Sequence, residues 1–160
     1  SVTANFAGAV QTDAINRFRM LQSMASVHLS AKVQSIPSNS ATVLSFDVAD
    51  INTDGMYSAG QPTRLTAPIT GKYICSAGVS FDSSASGTTR AVWFAKNGAT
   101  TYTELDVAPR TSGPQNMGIT SPVLSLNATD YIQVLVYQDT GGALNAINIP
   151  DLFSMLYVGE

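Results

Sequence analysis

The stretch Leu65–Phe81, LTAPITGKYICSAGVSF, constrains the fold more than any other part of the chain. A Thr-Ala-Pro corner and a turn at Gly71 lead into one long strand. There Tyr73, Cys75, Ala77, Val79 and Phe81 share a face by simple alternation, opposite Lys72, Ile74, Ser76, Gly78 and Ser80. The first face is apolar along its whole length, as in a strand packed against a second sheet. Pro68 has no N–H to give a ladder, so it belongs at the strand's entry.

The rest of the chain, from Val27 on, repeats this pattern. Val27, Leu29, Ala31 and Val33 alternate with His28, Ser30, Lys32 and Gln34 as a half-buried strand. Pro37–Ser40 breaks it, Val43–Val48 extends again, and Asp50–Gly60 is rich in turn residues. After the long strand and the loop Asp82–Thr88 come Ala91–Lys96 and Thr100–Val107, joined by the hairpin signal Asn97-Gly98. Pro109–Pro114 is a loop. Ile119–Leu126 and Tyr131–Gln138 read as strands around the turn Asn127–Asp130, Asp139–Ile149 as a Gly/Asn-rich loop, and Leu152–Val158 as the closing strand. Short strands at a spacing of about 8–12 residues define an all-β sandwich or jelly roll.

The N-terminus differs. Thr12 and Asp13 are helix-start residues, and Ile15, Phe18, Leu21 and Met24 or Ala25 recur at helical spacing up to about Ser26. The expected division is an arm with a helix over 1–26 and a jelly-roll domain over 27–160. The apolar stripe of that helix suits packing on its own domain or docking on another protein, and both readings stand.

Composition decides which partners to expect. Only 12% of the 160 residues are charged, against a usual figure of about 25%. Polarity comes from 18 serines, 16 threonines and 9 asparagines. Such a surface suits a chain covered by partner subunits or one evolved for an extracellular, particle-like setting. Eight scattered basic residues within a net charge of −3 do not make a nucleic-acid surface. No apolar run nears the roughly 20 residues of a membrane span. No signal-peptide pattern opens the chain, and Ser1 is what methionine removal from a cytoplasmically made protein would leave.

Residues able to do chemistry are sparse. His28 is the only histidine, so a metal cluster or a histidine-based triad lacks its members. Cys75 lies on the inward face of the long strand as a small apolar filler. Asp50-Ile-Asn52-Thr-Asp54-Gly55 matches the opening of a calcium loop, but Gln61 stands where the bidentate Glu is needed. The sequence therefore points to no catalytic, cofactor-binding or metal residues and to no enzyme. Tyr57, Trp93, Tyr102 and Tyr137 have the amphipathic rings used in sugar or protein recognition, and more often in core or subunit packing.

The ordered set Phe46-x-Val48, Asn52–Gly55 with Tyr57, Leu65-Thr66-Ala67-Pro68-x-x-Gly71-x-Tyr73, Phe94-x-Lys96-Asn97-Gly98, Leu126-x-Ala128-x-Asp130, Val134-x-Val136, Gln138-Asp139 and Phe153-Ser154 resembles a C1q-like globular domain. The likeness spans Val27 to the C-terminus, roughly four-fifths of the chain. It implies a jelly roll of the C1q and tumour-necrosis-factor type, with about ten antiparallel strands, assembled as a homotrimer. Relatives of this fold sometimes hold calcium at the trimer apex. The collagen-like repeat that often precedes such domains is missing, and Met155 replaces the glycine that commonly follows the terminal Phe-Ser. At the N-terminus, Phe6-Ala7-Gly8-Ala9-Val10-x-Thr12 ahead of a short helix resembles small structural proteins of tailed bacteriophages.

These resemblances imply a non-enzymatic virion protein: a capsid decoration, head-fibre or tail-associated homotrimer assembled in the host cytoplasm. It would attach to other virion proteins through the N-terminal arm, and stabilise the particle or adhere to a host-surface glycan or protein. The alternative is a secreted C1q-like lectin or protein-binding module. Leu135 and Tyr137, on the outer side of their strand, are the expected subunit-interface residues.

Overall fold

The computed structural model describes residues 23–30, 33–147 and 153–160, and every regular element among them is a β-strand. Thirteen follow in chain order: β1 (Met24–His28), β2 (Val33–Ile36), β3 (Thr42–Val43), β4 (Val48–Asn52), β5 (Leu65–Thr66), β6 (Gly71–Phe81), β7 (Arg90–Lys96), β8 (Thr100–Val107), β9 (Gln115–Thr120), β10 (Leu124–Leu126), β11 (Tyr131–Gln138), β12 (Leu144–Ile147) and β13 (Phe153–Gly159). All pairings are antiparallel, and the strands divide into sheets of eight and five.

Strand β6 is the axis of the first sheet, since both of its edges are taken along its length. On one edge β13 pairs with Lys72–Ala77 and β12 with Ser80–Phe81. On the other, β10 pairs with Gly71–Tyr73 and β9 with Ser76–Phe81. Outside β13 lie β1 and then β4, and outside β12 lies β2. In the second sheet β11 is central, with β7 on one edge, β3 and β5 sharing the other, and β8 outside β7. From β6 onward the chain passes back and forth between the sheets, which makes the sandwich a jelly roll.

The core lies between the sheets. Tyr73, Cys75, Ala77, Val79 and Phe81 all face inward, as alternation requires, and are at most 6% exposed. From the second sheet come Val92, Phe94, Ile132, Val134 and Val136, all fully buried. Phe153 joins the layers, its ring centroid 5.6 Å from Phe46 and 6.1 Å from Phe94. Tyr73 and Tyr157 meet edge to face at 5.2 Å. Gly71 is required by close approach: a Cβ there would lie 2.4 Å from Tyr157 Cε2 and 2.6 Å from the Gly159 carbonyl.

Several expected boundaries move. Residues 1–22 lie outside the described residues, so the arm up to there is not assessed. Met24–Ser26, expected as the helix end, instead opens β1, pairing with Leu156–Ser154 of β13. Ala25 and Val27 point inward there, because alternation with Met24, Ser26 and His28 fits a two-residue period as well as a helical one. The strand expected over 27–34 divides into β1 and β2, and Val33 is turned outward. The run Ile119–Leu126 breaks at Ser121-Pro122, since Pro122 cannot donate to the ladder. Leu144–Ile147, expected in a loop, forms β12 between β2 and β6.

Candidate functional site

The polar side chains picked out from the sequence are occupied separately. His28 Nδ1 lies 2.8 Å from Asp50 Oδ2 at the edge of the first sheet. Asn52 closes the turn after β4, accepting from the Tyr57 N–H and donating to its carbonyl. Asp54 accepts from the Ser23 hydroxyl. Asp50, Asn52 and Asp54 thus point to three different partners rather than into one loop centre. Among the described residues no group of three or more His, Cys, Asp or Glu converges. Cys75 is fully buried, and burial pushes its thiol pKa up to about 12, so it is not a nucleophile at neutral pH.

Two ionic clamps fix loops at the ends of the sandwich; Lys96, Asn97, Asp130 and Asp139 belong to the motifs quoted from the sequence, but their pairing could not be read there. Asp139 accepts from Thr88 Oγ1 at 2.5 Å and from the Thr88 and Thr89 N–H groups. It also lies 3.5 Å from Arg90, whose side chain is 1% exposed and donates to the Thr89, Ser84 and Ser86 carbonyls. These bonds, led by Thr88, lower the Asp139 pKa to about 2. At the other end Lys96 Nζ sits 2.7 Å from Asp130 Oδ2, and Asn97 Nδ2 donates to Oδ1. Lys96 first, then Asn97, holds the Asp130 pKa at about 2. Nearby, a groove of about 480 Å³ opens between Thr70–Lys72, Ser125–Asn127 and Glu160. It holds no nucleophile paired with a base.

The four candidate aromatics separate. Tyr57 and Tyr102 pack against the core, and Tyr57 Oη donates to the Phe46 carbonyl at 2.7 Å. Trp93 and Tyr137 lie half-buried on the outer face of the second sheet, beside Leu135. Leu135 and Tyr137 are therefore less open to solvent than an isolated alternating strand implies.

The apolar side chains left most open lie instead on the first sheet. Its pairing places Met24 opposite Leu156, and Leu156 opposite Ile74. Val123 precedes Leu124, the partner of Tyr73, and so continues the row beside Ile74. Met24, Leu156, Ile74 and Val123 form one apolar stripe across the sheet. Leu156 is 43% exposed and Val123 56%, with Val158 and Ile51 flanking the stripe at 41% and 43%. A parallel row, Ser26, Ser154, Ser76 and Thr120, is polar but uncharged, and Ser76 and Ser154 share a 2.8 Å hydrogen bond. Charges stand at the ends, His28 with Asp50 and Lys72. An apolar, uncharged centre inside a polar rim is the anatomy of an association surface.

The architecture has counterparts among solved structures. It superposes on the structure of Eiger TNF from S. frugiperda with a TM-score of 0.61, over 86% of this chain and 92% of that one. With murine APRIL the TM-score is 0.62, over 82% of this chain and 95% of the other. The fold is the tumour-necrosis-factor type of jelly roll. Sequence identity is 13% in both cases, so the likeness is one of fold. No protein-family model matches the chain, and no curated protein matches it in sequence.

Proposed function

We propose that this chain is a non-enzymatic structural and adhesion module that works as a homotrimer closed through the outer face of its first sheet. The observation that carries this reading is the stripe Met24, Leu156, Ile74 and Val123 with its uncharged neighbours. A patch of this kind on a small jelly roll has a reason to be covered by copies of itself, since a closed ring buries one repeated interface. The resemblance to C1q-like domains, which assemble as trimers, supports three as the number of copies. This reading puts the interface on Leu156 and its neighbours, where the exposed apolar side chains lie, rather than on the half-buried Leu135 and Tyr137.

The setting we propose is a bacteriophage particle, as a capsid decoration, head-fibre or tail-associated protein assembled in the host cytoplasm and held by the N-terminal arm. The supporting observations are the low charge, the Ser/Thr/Asn-rich surface and the bacteriophage-like start of the chain. A tracking experiment tests it. An antibody to the protein should decorate purified particles in negative stain. A variant lacking residues 1–22 should stay folded and self-associated yet be missing from particles. Unlabelled particles, with the protein recovered free outside the cell, would favour the secreted lectin-like module instead.

A further inference from the structure

If the first sheet faces other copies, the outer face of the second is the one turned to the surroundings, and its make-up is specific. Across it the register aligns Val43, Leu135, Trp93 and Glu104 in one row. The next row holds Tyr137, Ala91 and Asp106, and the row on the other side sets Gln133 against Ala95. Ala91 and Ala95 point outward with Trp93, yet are only 3% and 4% exposed. Short side chains on an outer face become that buried only when larger neighbours lie across them. Trp93 and Tyr137, half-buried in the adjoining positions, are the large side chains of these rows.

The polar groups on this face are arranged for a ligand with many hydroxyls. Tyr137 is steered by a 3.1 Å bond from its hydroxyl to Asn39 Oδ1. Asn39 is in turn fixed in a left-handed turn with φ of 58° and an N–H bond to the Gln138 carbonyl. The Trp93 indole N–H has no protein acceptor among the described residues and is not buried. Glu104 and Asp106 are exposed beside the ring, and neither makes an ion pair or a hydrogen bond among the described residues. Free carboxylates accept hydrogen bonds from hydroxyls, and two of them together disfavour an anionic ligand. Arg64 is stacked over Tyr131 at 4.2 Å and donates to Gln61.

We propose that this face, centred on Trp93 with Tyr137 and Glu104, is a binding platform for an uncharged glycan. Trp93 stacks on the apolar face of a sugar ring, while Glu104, Asp106 and the indole N–H take its hydroxyls. The proposal rests on the adhesion reading above and names the ligand class and residues for it. Trp93 is the chain's one tryptophan, so its fluorescence reports this site alone. The probes are maltohexaose and chitohexaose, with a sulfated heparin oligosaccharide and an oligolysine peptide as charged arms. At least one neutral sugar should give a saturable change in Trp93 emission. Glu104→Ala and Tyr137→Ala should weaken that binding by about tenfold. Leu156→Asp, which removes self-association, should leave the response per chain unchanged, so failure of the assembly reading is seen separately. No saturable response to either neutral sugar, or tighter binding of the sulfated oligosaccharide or of oligolysine, overturns the proposal.

Discussion

The assembly reading is tested most sharply by Leu156→Asp. Leu156 sits mid-strand in β13, between Met24 and Ile74, with 43% of its surface open. Fully burying a leucine contributes about 1.5–3 kcal/mol, so covering the open part is worth about 1 kcal/mol. Repeating this for Val123, Val158 and Ile51 brings the four to roughly 3–5 kcal/mol per chain before association costs. An aspartate at the centre forfeits the leucine's share and adds the penalty of burying an unpaired charge, several kcal/mol per ion. At 1.4 kcal/mol for each tenfold, dissociation should strengthen by about a thousandfold or more. In the separated chain the same aspartate faces water from a strand, where the penalty is at most about 1 kcal/mol. The expected result is a folded monomer. Light scattering on a dilution series, with circular dichroism for the fold, decides it. Wild type should give three times the 16.8 kDa chain mass and Leu156→Asp the chain mass itself. Leu135→Asp, on the other sheet, should keep the wild-type mass. A monomeric wild type, or a variant that holds the full mass, refutes the reasoning.

Three further outcomes follow from the interior and the loop clamps. Gly71→Ala should destabilise the fold by about 1–3 kcal/mol by overpacking, seen as a lower denaturant midpoint, because its methyl group meets Tyr157 and the Gly159 carbonyl. Asp130 and Asp139 have folded pKa values lowered from 3.8 to about 2, so their stabilisation is complete above the unfolded value. It should be lost as pH falls from about 4 towards 2, and the acid limb of a melting-temperature profile should flatten in Asp130→Asn and Asp139→Asn. Cys75, fully buried with its pKa near 12, should resist a thiol reagent until the protein is unfolded; fast labelling of the native protein would contradict its place in the core.

The all-β class and most strands could be read locally because alternation is a property of neighbours in the chain. Residues 71–81, 91–96 and 131–138 carry their inward faces in the sequence itself, whereas in 100–107 a bulge opposite Trp93 and Phe94 turns both Tyr102 and Leu105 towards the core, which simple alternation does not give. Met24–Ser26 could not be read this way, since a short apolar run fits a helical period as well as a strand one, and pairing with β13 and β4 resolves it. Leu144–Ile147 lies within a Gly/Asn-rich run and becomes a strand only because β2 and β6 offer it partners.

For the functional faces, the sequence could nominate side chains but not neighbours. It singled out Trp93 and Tyr137 as aromatics, and Leu135 and Tyr137 as outward-facing. That Trp93 lies against Leu135 and Glu104, or that Asp139 holds Thr88 and Arg90, depends on chain segments brought together from far apart. The exposed stripe is the clearest case. Met24, Ile74, Val123 and Leu156 are each unremarkable apolar residues in sequence. By itself the sequence determined which side chains face in and which face out along the unbroken strands such as β6 and β11, because that follows from the two-residue period. Only the tertiary structure decided which outward side chains meet, because strand partners and register are set by packing between residues remote in the chain.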